Sequence, residues 1–215
     1  MDIALAEELR SSPKILKLYN RDIGDSGACV LAGLLSSSSS LESLDLSGNS
    51  IGEIGAQALG ETLRATSGLL TLYLNFNHVG DRGAHMLARN LSLASCLRVL
   101  DLSGNAIGDV GAQELSEALC SSESVTLRIL YLNLNQIGDA GAQALALMQG
   151  QFQVLQTLDL SGNRIGDEGA LAWAAALRSA LSLRVLHFTA NLIGETGRQA
   201  LTELRGSLSA CIINV

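Results

Sequence analysis

Aspartate and tyrosine alternate along this chain at a regular interval, and aspartate is the more able of the two to do acid–base chemistry. Asp45, Asp101 and Asp159 recur with Tyr73 and Tyr131 midway between them. Two carboxylates must lie close together to act as a general acid and a general base. If each residue of this series stands on its own strand of a parallel sheet, successive aspartates lie ~10 Å apart. That separation exceeds the one found in most catalytic pairs, so no raised pKa need follow and catalysis is not predicted.

The other reactive side chains also lack the arrangement of a catalytic or metal site. The histidines fall at different positions of the repeat described below and lack the spacing of metal ligands: His78, His85 and His187. The 4 cysteines form no CxxC pair, which favours reduced thiols and a cytoplasmic protein. No GxxxxGKS/T or GxGxxG motif supports nucleotide binding. We therefore expect no enzyme activity, metal, cofactor or small-molecule substrate.

Composition argues against two further classes of partner. The 215 residues include 21 acidic and 14 basic side chains, a net charge of −7, whereas binding to phosphates needs a basic face. No apolar run approaches the ~18 residues of a membrane span. Acidic residues interrupt the apolar start of the chain, and no basic leader precedes it, so a signal peptide is not predicted. We expect neither nucleic-acid binding nor a membrane span.

The elements that carry these side chains come from an internal repeat. Segments such as LRVLDLSGNAIGDVGAQEL (97–115) and LQTLDLSGNRIGDEGALAW (155–173) recur seven times between residues 13 and 201, at steps of 28 residues with one step of 30. The longer step places two extra residues at 121–126. The first half alternates at period two, as in Leu97, Leu100 and Leu102, which indicates a strand. The second half carries a helical stripe from Gly111 to Leu119.

The acidic residue before each helix is expected to accept amide hydrogens at the start of that helix. Because a strand and a helix of ~28 residues bury their apolar faces only against neighbouring repeats, the chain predicts a stacked solenoid. The expected fold is α/β, with about seven 28-residue strand–helix repeats in one domain over 1–215. A cap helix is predicted over 1–12, repeats over 13–210, and a terminal strand or tail over 211–215.

One polar position recurs in nearly every repeat, two residues before an Ile or Val. It is asparagine in six copies: Asn49, Asn77, Asn105, Asn135, Asn163 and Asn191. A side-chain amide both donates and accepts, so a stacked ladder of asparagines can satisfy the backbone of the turns beneath it. Arg21 stands there in the first copy, and we expect its turn to be exposed at the end of the stack.

The pattern LxxLxLxxNxI/V resembles the leucine-rich repeat family. The tail GDxGAxxLAxxL is similar to the ribonuclease-inhibitor-like subfamily, which includes the repeats of NOD-like receptors. This resemblance implies a horseshoe-shaped solenoid with a parallel sheet on its concave face and helices on its convex face. Ribonuclease inhibitor alternates cysteine with asparagine at the ladder position, whereas cysteine never stands there in this chain. Inhibition of ribonuclease is therefore not expected.

The residues between the strand leucines should point to the concave face. They form a predicted binding surface with their neighbours at the turn end: Lys17, Tyr19, Asp45, Tyr73, Phe76, Asp101, Tyr131, Leu134, Asp159 and His187. Tyrosine anchors and carboxylates are typical of the centres of protein interfaces. Duplication of a pair of repeats would produce the same alternation without selection for binding, and both interpretations stay open.

The function predicted from the sequence is a non-catalytic protein-interaction module, an intracellular adaptor or scaffold subunit that binds a protein partner alone or within a larger assembly. One alternative is a regulator of an enzyme, such as a GTPase-activating protein like the Ran-directed one, although that family has more repeats and an acidic tail. Another is the sensing region of an innate-immune receptor, whose nucleotide-binding domain is not in this sequence.

Overall fold

The structure is a computed structural model that describes residues 13–35, 40–63, 66, 68–91, 96–121, 126–148, 154–179, 183–207 and 211–215. The cap helix predicted over 1–12 lies outside the described residues.

Eight short strands form one parallel sheet in which each strand pairs with the next along the chain. They are β1 Ile15–Lys17, β2 Ser43–Asp45, β3 Thr71–Tyr73, β4 Val99–Asp101, β5 Ile129–Tyr131, β6 Thr157–Asp159, β7 Val185–His187 and β8 Ile212–Asn214. The predicted parallel sheet is confirmed. The segment predicted as a terminal strand or tail supplies the eighth strand, with Ile213 paired to Leu186 of β7.

Helices alternate with the strands, as the period change within each repeat predicts. Over the described residues they are α1 Gly24–Leu35, α2 Glu53–Leu63, α3 Gly80–Leu91, α4 Asp109–Cys120, α5 Asp139–Ala146, α6 Asp167–Ala176 and α7 Glu195–Ser207. A short 3₁₀ turn, Leu177–Ser179, extends α6. In α4 the buried side is the predicted stripe through Gly111, Leu115 and Leu119. The solenoid of strand–helix repeats is thus confirmed.

The core lies between the sheet and the layer of helices. The middle residue of each strand is buried, while its two neighbours are half-buried or exposed on the opposite face. We call this opposite side the open face; it is the face predicted to be concave. Leu100 and Leu115 are fully buried, although one belongs to a strand and the other to a helix. Each repeat supplies one layer, so its core is completed by its neighbours.

The asparagines form a continuous ladder through the turns that follow the strands. The side-chain oxygen of Asn77 accepts hydrogen bonds from the backbone N–H groups of Asn49 (3.0 Å) and Ile51 (2.9 Å) in the preceding repeat. Its amide nitrogen donates to the carbonyl oxygens of Leu46 (3.0 Å) and Leu74 (2.9 Å). Five of the six asparagines are buried, and Asn191 is half-buried.

The first repeat ends the ladder as its sequence predicts. Arg21 is exposed, and its backbone N–H donates to the side-chain oxygen of Asn49 at 2.9 Å. The asparagine of the second repeat therefore satisfies the turn of the first. Every asparagine in the ladder reaches toward the N-terminal neighbour.

A second ladder runs along the helix starts, and it differs from the prediction. Asp109 is the first residue of α4, whose N-cap is Gly108 without a side-chain bond. The Oδ1 atom of Asp109 instead accepts from the N–H groups of Gly138 (2.7 Å) and Gly141 (2.8 Å) at the start of α5. Equivalent bonds link four other aspartates to the following repeat: Asp25, Asp81, Asp139 and Asp167. The prediction that each acid caps its own helix is wrong for these five aspartates, because the carboxylate of each stands beside the next helix in the stack.

Glu53 interrupts this second ladder. Its longer side chain pairs with Arg82 at 3.7 Å. The next helix, α3, begins at Gly80 with φ of 58°, a left-handed conformation that suits glycine. Gly108, which does receive an aspartate from the preceding repeat, has φ of −102° and lies just outside its helix. The two helix starts thus differ both in conformation and in the acid that the preceding repeat supplies.

Candidate protein-binding surface

The central row of the open face contains the residues predicted to form it. Strand pairing aligns them side by side in the order Lys17, Asp45, Tyr73, Asp101, Tyr131, Asp159 and His187. Asn214 of β8 continues the row, with its amide nitrogen 2.8 Å from Nδ1 of His187. Asp101 therefore has a tyrosine on each neighbouring strand, and an aspartate stands one strand beyond each tyrosine.

Each aspartate of the row is held by the turn that follows it. Oδ1 of Asp101 accepts from the backbone N–H of Ser103 at 2.9 Å and from its hydroxyl group. Backbone bonds of the same kind hold Asp45 to Ser47 (3.0 Å) and Asp159 to Ser161 (2.8 Å). Within the described part of the chain these bonds use only Oδ1. The carboxylates are therefore fixed in position, and each keeps one oxygen for a further contact.

Burial perturbs the ionisation of the centre of the row. Desolvation raises the pKa of Asp101 above its ordinary value of 3.8, the bonds from Ser103 oppose that shift, and the charges of Asp159 and Asp45 add to it. Desolvation is also the main cause that raises the pKa of Tyr131, with smaller contributions from Asp101 and others. The wide spacing of the aspartates required no raised pKa, yet burial raises the pKa of Asp101, and the charges of the other two aspartates contribute less than burial does.

The described residues hold no group of three or more potential metal ligands. His85 instead bridges two helices, with Nδ1 2.7 Å from a carboxylate oxygen of Glu114.

Two large apolar side chains stand at the turn end of the open face. Phe76 and Leu134 are 58% and 53% exposed, and their φ angles are 55° and 58°. This left-handed backbone disfavours bulky residues by roughly 1–2 kcal/mol. The other repeats place small or tolerant residues here, also with positive φ: Asn20, Gly48, Gly104, Gly162 and Ala190.

The alternation of bulky residue and glycine has a packing cause. A Cβ atom on Gly104 would lie 2.8 Å from Cδ1 of Phe76, and one on Gly162 would lie 2.8 Å from Cδ2 of Leu134. A side chain at either position would fit only if Phe76 or Leu134 shifted, so each bulky residue covers the glycine of the following repeat. This close approach, together with φ angles of 64° and 66°, favours glycine at both positions. It does not explain why Phe76 and Leu134 occupy a strained and exposed position.

Three arginines stand just before strands β4, β5 and β7, at the end of the strands opposite Phe76 and Leu134, and sequence reasoning missed them. The same position holds other residues in the remaining repeats: Lys14, Glu42, Leu70 and Gln156. Arg98, Arg128 and Arg184 are exposed and stand three residues before the central-row members of their repeats. Their shared position in the repeat was the signal that could have revealed them. Lys17 lies on β1 and Tyr19 in the turn after it, at the N-terminal end of the open face, and both are exposed.

No helix among the described residues has the length and apolar character to cross a bilayer. A search of curated proteins finds no match to the chain. A solved structure of the actin-binding site 2 of leiomodin-1 is similar, with a TM-score of 0.57 and 16% identity, over 67% of this chain and 85% of that one. At this identity the likeness shows a shared fold alone. The family model described as leucine-rich repeat matches residues 37–60, 69–88, 94–116, 123–146 and 153–172, just over half of the chain. The chain therefore belongs to the leucine-rich repeat family, and its repeats are consistent with the ribonuclease-inhibitor-like type.

Proposed function

We propose that this chain is a non-catalytic module that binds a protein partner across its open face, as an adaptor or scaffold subunit inside the cell. The observation that carries the proposal is the placement of Phe76 and Leu134. Both are more than half exposed, and both hold a backbone conformation that glycine would adopt without strain. Neither feature stabilises the fold, and strain of this kind clusters at functional sites.

The neighbouring residues form a surface with the composition of an interface centre. Tyr73 and Tyr131 are half-buried on the strands that precede Phe76 and Leu134. Partly packed aromatic side chains lose little conformational freedom on binding, and tyrosine is enriched among residues that dominate binding energy. Eight strands ~4.8 Å apart give a row ~34 Å long, which suits one partner of modest size.

The proposal is tested by comparing an open-face variant with a helix-face variant. Tyr73→Ala with Tyr131→Ala changes the open face. Ile54→Ala with Val110→Ala is the matched control, because these residues are 59% and 62% exposed on α2 and α4. Each protein is used to capture partners from cell extract with quantitative identification of what is bound.

The tyrosine variant should lose the partners that wild type captures, with its circular dichroism spectrum and melting temperature nearly unchanged, while the control retains them. If the tyrosine variant keeps the captured partners and the control loses them, the binding site lies on the helices and the proposal is contradicted.

A further inference from the structure

We propose that the open face takes an extended basic segment of a protein partner, which lies along the central row and carries a positively charged side chain at every third residue. This inference rests on the proposed function and names the chemistry of the partner.

The first step is charge complementarity. The central row contains Asp45, Asp101 and Asp159, with no basic residue between Lys17 at one end and His187 at the other. The whole chain carries a net charge of −7. Each carboxylate is fixed through Oδ1 by its own turn, so a cation can meet the second oxygen without reorganising the site.

The second step concerns the tyrosines that separate the aspartates. Tyr73 and Tyr131 stand on the strands on either side of Asp101. A lysine or arginine that reaches Asp101 therefore passes between two phenol rings, which attract cations through their faces. Burial at Asp101 already disfavours its charged form, and no cation among the described residues offsets that effect. A cation from the partner would offset it.

The third step is spacing. Strands ~4.8 Å apart place successive aspartates of the row ~9.6 Å from one another. A polyproline II segment advances ~3.1 Å per residue with three residues per turn, so every third side chain points the same way at ~9.3 Å intervals. A β-strand presents residues on the same side every ~6.7 Å, which does not match the ~9.6 Å between successive aspartates. In an α-helix, residues on the same side recur at every seventh position, ~10.5 Å apart. A third cation spaced in this way would lie almost 2 Å away from the third aspartate.

The fourth step is the boundary of the acidic strip. Arg98 is exposed just before the strand that carries Asp101, and Arg128 and Arg184 are exposed just before β5 and β7, which carry no aspartate of the row. A contiguous run of lysines would place cations against these arginines as well as against the aspartates. Like charges repel, so the surface selects spaced cations over an equal number of adjacent ones.

The probes are synthetic peptides with three lysines each. One spaces the lysines at every third residue in a proline-rich backbone, and the others place them adjacent, at every second residue, or at every seventh residue of a helical sequence. A fifth peptide replaces the spaced lysines with glutamates. Affinity is measured by fluorescence anisotropy at low and high salt. The every-third peptide should bind about tenfold or more tightly than each of the others, and high salt should weaken it.

Variants of the protein locate the contact. Asp45→Asn, Asp101→Asn and Asp159→Asn together keep the oxygen that accepts from each turn but remove the charge. The matched control, Glu61→Gln with Glu117→Gln and Glu168→Gln, changes net charge equally on exposed helix positions. The aspartate variant should lose about tenfold in affinity and the control should lose little. Melting temperatures establish that both fold. Equal losses, equal binding of the differently spaced peptides, or no binding by any peptide would overturn the inference.

A selection from an unbiased peptide library separates this inference from the proposed function. Selected peptides that need Tyr73 and Tyr131 and carry cations at every third residue support both. Peptides that need the tyrosines but lack spaced cations overturn the basic segment and leave the binding module standing. Peptides indifferent to the tyrosine change count against the open face itself.

Discussion

Asn105 and Asp101 belong to the same strand and turn, and the structure gives their side chains different surroundings. Asn105 is fully buried, and its amide donates to the carbonyl oxygens of Leu74 (2.9 Å) and Ser103 (3.1 Å). Its oxygen accepts from the N–H of Val79 at 3.2 Å. The side chain of Asp101 is half-buried on the open face and, among the described residues, accepts hydrogen bonds only from Ser103. One residue serves the fold, and the other presents a charge.

We predict that Asn105→Ala lowers the free energy of unfolding more than Asp101→Ala does. The alanine at 105 leaves the backbone N–H of Val79 without its acceptor, at roughly 1–3 kcal/mol for a buried group. It also removes one of the two donors to the carbonyl oxygens of Leu74 and Ser103, which keep bonds from Asn77 and Phe76. The alanine at 101 removes a carboxylate that already resists burial. Denaturant midpoints with unchanged slopes measure both losses. Equal losses would mean that the asparagine ladder is not the main polar support of the stack.

The raised pKa of Asp101 predicts a dependence of stability on pH. Because folding favours the protonated form, the contribution of this group to stability is greatest below its ordinary pKa of 3.8 and is lost as pH rises through the folded value. Asp101→Asn should therefore be more stable than wild type near pH 7, and the difference should shrink below pH 3.8. Urea unfolding at several pH values measures it, with Asp45→Asn reporting the general effect of removing one charge. A variant less stable than wild type at pH 7 would contradict the prediction.

Phe76 allows strain and contact to be separated. Phe76→Gly and Phe76→Ala both remove the ring, but only glycine relaxes a φ of 55°. The glycine variant should be about 1 kcal/mol more stable than the alanine variant, and both should bind partner more weakly than wild type. Thermal unfolding and partner capture are the two measurements. Alanine as stable as glycine would show that this turn is not strained.

At the scale of the elements, the two ladders point in opposite directions along the stack. Each asparagine reaches back to the preceding turn, whereas each aspartate of the helix starts reaches forward to the next helix. Neighbouring repeats are therefore tied at two edges by polar bonds and between those edges by the apolar core. These hydrogen bonds fix the orientation of each repeat relative to the next repeat, in addition to holding the two in contact.

The forward ladder is tested at Asp109. Asp109→Ala should destabilise the protein by roughly 1–3 kcal/mol, because the N–H groups of Gly138 and Gly141 lose their acceptor. Asp109→Asn keeps an acceptor and removes the charge that favours a helix start, so it should cost less, about 0.3–1 kcal/mol. Denaturant unfolding ranks the variants. An alanine variant as stable as wild type would show that these bonds contribute nothing net.

Sequence periodicity was enough to predict the strands and helices, because Leu97, Leu100 and Leu102 alternate while the residues from Gly111 to Leu119 follow a helical stripe. It also predicted the alignment of Asp101 with Tyr73 and Tyr131, since equal repeat lengths put equal positions side by side. It could not predict the direction of the Asp109 bonds. That direction depends on the lateral offset between stacked helices, which no single repeat encodes.

At the scale of the whole molecule, stability is shared between neighbours rather than held in one centre. Leu100 lies in the middle of the stack and Ile213 on the eighth strand, and both are fully buried. In a solenoid, the loss of one core side chain affects first the repeats that touch it. The two ends and the middle should therefore respond differently to the same kind of change.

We predict that Leu100→Ala, at about 2–5 kcal/mol, lowers hydrogen-exchange protection over the repeats on both of its sides. Ile213→Ala should lower protection mainly in β7 and β8, with the middle strands unchanged. Native-state exchange resolved by segment measures both patterns. A uniform loss across all strands in the Ile213→Ala protein would indicate that the solenoid unfolds as one unit.

The glycine beneath each bulky turn residue makes the repeats unequal in what their loss would do. Deleting the single repeat that contains Gly104 would bring Phe76 against Leu134, two large side chains at neighbouring turns. Deleting the single repeat that contains Phe76 would instead bring Gly48 before Gly104, and this turn would hold no large side chain. The two shortened proteins have the same length and the same number of repeats. The one that lacks the Gly104 repeat should be the less stable of the two in thermal unfolding.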